Sequence, residues 1–186
     1  GSGFSITPSS VVFGGSATVV VEVSAKSGAP SGEVNVAAGG QNCIGTLVQQ
    51  NATSSRASCG LVSVPVGSNQ TVTATYGGDI NFGGSQATGS LTVTPAETTT
   101  TITSNVRPSL AGNPVTLSAL VDNNTANGNP TTGTVTFSID GVEQIPVLLA
   151  SDSVGTFIAN DLKAGSHKVT ANYAATTNFL ASTSSA

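Results

Sequence analysis

Val72-Thr-Ala-Thr-Tyr76, followed six residues later by Phe82, returns as Val169-Thr-Ala-Asn-Tyr173 followed by Phe179. Tyr173 stands 97 positions after Tyr76, and Phe179 stands the same distance after Phe82. Working outward, Gly32-Glu-Val34-Asn-Val36 matches Gly133-Thr-Val135-Thr-Phe137, and Val19, Val21 and Val23 match Leu117, Ala119 and Val121. The matches keep their order, with small insertions between them. A repeat of this length is too long for a solenoid unit and fits two copies of one domain.

Within each copy apolar and polar residues alternate, as a sheet with one buried face requires, because neighbouring side chains on a strand point to opposite sides. The first copy reads as seven strands, near Ser5 to Val12, Ala17 to Ser24, Gly32 to Ala38, Ile44 to Gln49, Arg56 to Val64, Gln70 to Tyr76 and Ser90 to Thr94. Gly14-Gly15, Ala29-Pro30-Ser31-Gly32, Gly39-Gly40 and Gly77-Gly78-Asp79 supply turns between them. The second copy repeats the plan near Thr99 to Ser104, Val115 to Asp122, Gly133 to Ile139, Gln144 to Leu149, Gly155 to Asn160 and Lys168 to Tyr173. Seven short strands in roughly 100 residues describe an immunoglobulin-like β-sandwich. The expected fold is therefore all-β: one sandwich over 1–95, a linker at 96–100 led by Pro95, and a second sandwich over 101–186.

By the same offset Ala186 faces Gly89, so the strand matching Ser90 to Thr94 falls outside the sequence. The second sandwich is thus expected to be incomplete at its C-terminal end. Either the sequence in hand stops there, or an identical subunit supplies a strand to the open sheet edge. The opening Gly1-Ser2-Gly3 carries neither a basic segment nor an apolar run, and it reads as a mature end or a cloning remnant, not a signal peptide.

Composition narrows the function. Nine acidic against five basic residues give a net charge of −4, which leaves too few cations to track phosphates and sets nucleic acid aside. Apolar runs such as Val19 to Val23 fall far short of the ~20 residues of a membrane-spanning helix. Met is absent and Lys and Arg number five together, and no apolar spacing of helical period lasts two turns.

Thr134-Val-Thr-Phe-Ser-Ile-Asp-Gly141, Leu162-Lys-Ala-Gly-Ser-His-Lys-Val-Thr-Ala-Asn-Tyr173 and Tyr76-Gly-Gly-Asp-Ile-Asn-Phe82 resemble the bacterial immunoglobulin-like repeats of group 3, found in large bacterial surface and secreted proteins. The resemblance covers both halves of the chain. It implies a stalk, spacer or adhesive module outside the cell, with neighbouring repeats of the same protein as partners. Some repeats of this family carry a cysteine pair like Cys43 and Cys59, with Cys59 at the position Phe157 takes in the second copy. The resemblance implies a disulfide in an oxidising compartment. Metal ligation or a redox site is the alternative, but no C-x-x-C motif and no nearby His accompany the pair.

Little else suggests chemistry. His167 is the single histidine; a Ser-His-Asp site with Asp161 is conceivable, yet no nucleophile elbow is present and a solvated turn residue is the simpler reading. Asp79, Asp122, Asp140, Asp152 and Asp161 each sit singly in turns, where Asp is common. Glu97 with Asp79 or Asp122 would be the candidate ligands for calcium, but no D-x-[DN]-x-[DN]-G loop supports such a site. Tyr76, Phe82, Tyr173 and Phe179 could offer an aromatic platform to a sugar, but equal placement in both copies favours packing, so they serve as structural repeat markers. No catalytic residue, metal or cofactor is expected, and the chain is not expected to be an enzyme. A spacer is the first functional reading. An adhesive module for a glycan or protein receptor, using the loops 77–89 and 122–132, is the second, and a filament subunit built by strand donation the third.

Overall fold

The computed structural model describes residues 2–123 and 128–185. The chain divides into two compact units, Gly1–Thr94 and Pro95–Ala186. No helix occurs among the described residues.

In the first unit, β1 (Ser2–Thr7), β3 (Ser16–Ser24), β7 (Ser54–Val62) and β6 (Val48–Gln49) form one sheet in the order β1-β3-β7-β6. The second sheet runs β2 (Ser10–Val12), β9 (Gly83–Thr94), β8 (Gly67–Gly78), β4 (Glu33–Ala38) and β5 (Gln41–Thr46). Sequence reasoning expected a single strand over 5–12. Pro8 divides it, since proline has no N–H for the ladder, and the chain moves from one sheet to the other: β1 pairs antiparallel with β3, β2 parallel with β9. Val19, Val21 and Val23 on β3 face Val34 and Val36 on β4, Val72, Ala74 and Tyr76 on β8, and Leu91 and Val93 on β9, all buried in one core. Each such aliphatic side chain stabilises the fold by about 1.5–3 kcal/mol when fully buried.

The second unit has β10 (Thr98–Ser104), β11 (Val115–Asn123) and β15 (Val154–Ala159) in one sheet. Opposite lie β12 (Thr134–Ile139), β13 (Val142–Glu143), β14 (Val147–Leu148), β16 (Val169–Tyr173) and β17 (Ser182–Thr183). The strand expected over 144–149 is broken here, where β5 in the first unit is continuous; Pro146 cannot donate to β12, so the ladder lapses between β13 and β14. Residues 96–100, expected as a linker, instead hold the start of β10 and a bridge from Ala96 to Phe179.

β17 pairs with the end of β16. Tyr173 pairs with Ser182 and Asn172 with Thr183, the register in which Tyr76 pairs with Ser85 and Thr75 with Gln86. β17 therefore corresponds to Ser85 and Gln86 of β9.

Candidate functional site

The repeated stretch that decides the fold builds a corner in each unit. Alternation along β8 brings Val72, Ala74 and Tyr76 inward, and the Tyr76 hydroxyl donates to the Ser31 carbonyl at 2.9 Å. Tyr173 does the same to Thr132 at 3.2 Å. Both rings are buried, which raises each phenol above its ordinary pKa. The residue after each acceptor is a glycine with φ of +101° at Gly32 and +108° at Gly133. A Cβ on Gly133 would lie 2.8 Å from the Tyr173 ring and 3.1 Å from its hydroxyl. Gly133→Ala is expected to destabilise the second unit well beyond the roughly 1–2 kcal/mol of left-handed backbone strain alone, whereas Gly141→Ala, with nothing within 4 Å of its Cβ, should cost only that strain. Urea titration of both variants checks this, and equal costs would mean that the ring does not crowd Gly133.

Phe82 and Phe179 close the adjoining turn. The Asp79 N–H donates to the Phe82 carbonyl and the Thr176 N–H to the Phe179 carbonyl, each at 2.9 Å. The side chains that fasten this turn differ. Asp79 accepts from the Asn81 and Phe82 N–H groups at 2.8 and 2.9 Å, and from the Ser31 N–H and hydroxyl at 2.9 and 2.8 Å. Four donors around one carboxylate, the Asn81 N–H foremost, hold its proton affinity well below the usual carboxylate range. Thr176 stands in its place and accepts from the Phe179 N–H at 3.2 Å. The segment 77–89, expected as a loop, is mostly strand: Gly77 and Gly78 extend β8, Gly83 opens β9, and the turn is only Asp79 to Phe82. Of the other expected loop, residues 124–127 lie outside the described residues.

Cys43 and Cys59 are joined by a disulfide, with their Cα atoms 5.9 Å apart. Cys43 lies on β5 and Cys59 on β7, in opposite sheets, so the bond ties the sandwich across one side. Next to it a Cβ on Gly45 would meet the Ser58 carbonyl oxygen at 2.9 Å and the Ala57 Cβ at 3.1 Å. The second unit fills the same place by exchange of volume. Gly155 takes the position of Ala57 and Val147 that of Gly45, so the small residue changes sheets. Phe157 replaces Cys59 and stacks on Phe137 with ring centroids 5.8 Å apart.

His167 lies in the turn before β16, and there it is paired. Its Nδ1 lies 2.6 Å from Asp140 Oδ2 and its Nε2 3.0 Å from the Lys163 carbonyl, while Asp140 Oδ1 accepts from the Lys168 N–H at 2.8 Å. Both ring nitrogens face acceptors, so only the doubly protonated cation satisfies both. Asp140 first, and the Lys163 carbonyl second, raise the imidazole pKa; His167 and the Lys168 N–H lower that of Asp140. The Asp140 contribution to folding is present above the ordinary carboxylate value and disappears as pH falls through the lowered one. The His167 contribution is present below about pH 6.5 and disappears as pH rises through the raised value. Melting of the second unit is therefore expected to decline as pH rises above about 6.5, and His167→Gln, which installs the residue found at the matching position Gln70, should flatten that decline. An unchanged slope in the variant would remove His167 as its source.

Asp161 makes no described contact with His167, so the conceivable Ser-His-Asp grouping does not assemble. Glu97 and Asp122 are exposed, and no three metal-ligating side chains converge among the described residues. Sequence reasoning placed Asp79 in a turn but missed the hydrogen bonds its carboxylate accepts there, and it missed the His167–Asp140 pair. Asp79-Ile-Asn81 carried a local signal, because Asp often binds the N–H two residues on; a pair 27 positions apart carried none.

A model of the bacterial Ig-like domain (group 3) matches twice, over residues 4–94 and 97–186. Against curated proteins the chain finds no match. Among solved structures it is similar to the adhesin InvE of Yersinia pseudotuberculosis, at 14% identity and TM-score 0.43, covering 100% of this chain and 59% of that one. It is also similar to fibronectin(III)-like modules of CbhA from Clostridium thermocellum, at 12% identity and TM-score 0.35, covering 98% and 93%. The D0-D1 domain of intimin gives 13% identity and TM-score 0.37, covering 98% and 95%. No helix among the described residues is long and apolar enough to cross a membrane. With both halves matched along nearly their whole length, the chain belongs to the bacterial Ig-like domain (group 3) family and carries two consecutive copies of it.

Proposed function

We propose that these two domains act as a structural spacer in a bacterial protein exposed outside the cell. The observation that carries this reading is the kind of feature the copies share. Tyr76 and Tyr173, Phe82 and Phe179, and Gly32 and Gly133 all serve the corner of a sandwich. Polar groups at matching positions differ, with Asp79 against Thr176 and Gln70 against His167. Repetition has kept what maintains the fold and not a set of ligand-directed side chains, as a spacer requires. The Cys43–Cys59 disulfide supports an oxidising, extracellular setting. No residue is assigned a catalytic role.

A glycan array and a panel of extracellular-matrix proteins, probed with the purified chain, test this. A spacer gives no saturable signal above that of an unrelated tandem Ig-like pair. A saturable ligand would replace the spacer with the adhesive reading.

A further inference from the structure

In the first unit an early strand and the last strand run side by side in the same direction. β2 lies parallel to β9, with Ser10, Val11 and Val12 opposite Thr92, Val93 and Thr94, the final residues of that strand. The Thr92 N–H donates to the Ser9 carbonyl at 3.0 Å and the Phe13 N–H to the Thr94 carbonyl at 2.8 Å. Ser9 and Phe13 both turn their backbone groups toward β9, so Val11, midway between them, does the same. Val11 and Phe13 also pack against the core.

This arrangement decides what tension does. A pull from the N-terminal side draws β2 back along its own axis, and a pull from the C-terminal side draws β9 forward along the same line. The two strands are dragged past each other, and all the bonds between them resist together. Strands pulled apart from one end of a hairpin lose their bonds one at a time. Ahead of β2 on the same path, the six residues of β1 pair with β3 in the opposite sheet. The Phe4 ring on β1 also sits over Gly89 of β9, where a Cβ would run into it. The chain is thus fastened to both sheets before tension reaches β2.

We infer that the first unit is a tension-resisting module, with the β2–β9 pairing as its clamp and the Cys43–Cys59 bond as its length stop. Cys43 lies on β5 and Cys59 on β7, neither of them in the clamp. The clamp is therefore free to break, after which the bond keeps a separation of 16 residues closed. At about 3.3–3.6 Å per residue it withholds about 50 Å of extension. The inference rests on the spacer reading for its use in the parent protein. A unit that only fills distance would satisfy that reading and fail the test below.

Stretching single molecules of the 186-residue chain by their two ends provides the test. The unfolding step of the first unit is recognisable, because reduction of the disulfide lengthens that step alone by about 50 Å. Forced unfolding is governed by the barrier out of the folded state, whereas the disulfide acts chiefly on the unfolded chain. Reduction is therefore expected to lengthen the step and leave its rupture force unchanged, even though equilibrium stability falls. Val11→Pro deletes the middle N–H of the clamp and is expected to lower the rupture force by roughly a third or more at the same pulling speed. Handles attached at residues 67 and 94, next to each other at the open end of the β8–β9 hairpin, are expected to unfold the unit at roughly half the end-to-end force or less. An unchanged force in Val11→Pro, a drop on reduction as large as the one from that substitution, or equal forces in the two pulling directions would each overturn the clamp. A step that does not lengthen on reduction would overturn the length stop. If Val11→Pro fails to fold, the two pulling directions decide.

Discussion

Replacing Phe137 by alanine is expected to lower the stability of the second unit by about 3–5 kcal/mol, the range for emptying a buried aromatic site, and to leave the first unit unchanged. Phe137 has 0% exposure and stacks on Phe157, which itself stands where the first unit has Cys59. The loss is large against the total. A unit of this size has on the order of 5–14 kcal/mol of stability at 0.05–0.15 kcal/mol per residue. Little can move in to fill the space, because β12 is held on both sides by β16 and by the β13 and β14 segments. Urea titration of the variant, read through segment-resolved hydrogen exchange, checks the size and the confinement of the effect. A cost below 1 kcal/mol would mean that the Phe137–Phe157 stack is not the centre of this core.

The first unit meets the same demand by covalent chemistry. Substituting both Cys43 and Cys59 by alanine, or reducing the bond, is expected to cost it about 3 kcal/mol, since a closed loop of this length restricts the unfolded chain by roughly that amount. The fold should survive. Val19, Val36 and Leu61 remain buried around the site, and the second unit builds the same sandwich with no cysteine. Intact mass before and after reduction reports the bond, and calorimetry reports the shift. A loss of all cooperative unfolding on reduction would mean that the core alone cannot hold the first unit together.

Alternation made the strands legible in the sequence, and the Tyr-to-Phe repeat made the two copies legible, because both depend on residues close together in the chain. What stayed hidden depends on tertiary pairing or on a single backbone group. Pro8 and Pro146 each interrupt an apolar pattern that otherwise reads as one strand; in each case the missing N–H, and not the side chain, decides. Gly77-Gly78 suggested a turn, yet these residues prolong β8, because the Asp79 carboxylate fastens the true turn two residues later. The exchange of Gly45 and Ala57 for Val147 and Gly155 was invisible for a similar reason. Neither residue signals anything until the sheets are placed face to face. The disulfide was suggested by family resemblance, whereas its placement across the two sheets emerged only with the pairing of β5 and β7 to their neighbours.

Each unit holds one buried tyrosine, Tyr76 or Tyr173, so each core carries its own spectroscopic reporter. Ring resonances of both residues, followed through a denaturant titration of the reduced chain, are predicted to separate: the Tyr76 signals collapse first, while those of Tyr173 keep the midpoint they show in the oxidised protein. Joint disappearance of both signals at one shifted midpoint on reduction would contradict two sandwiches with independent interiors.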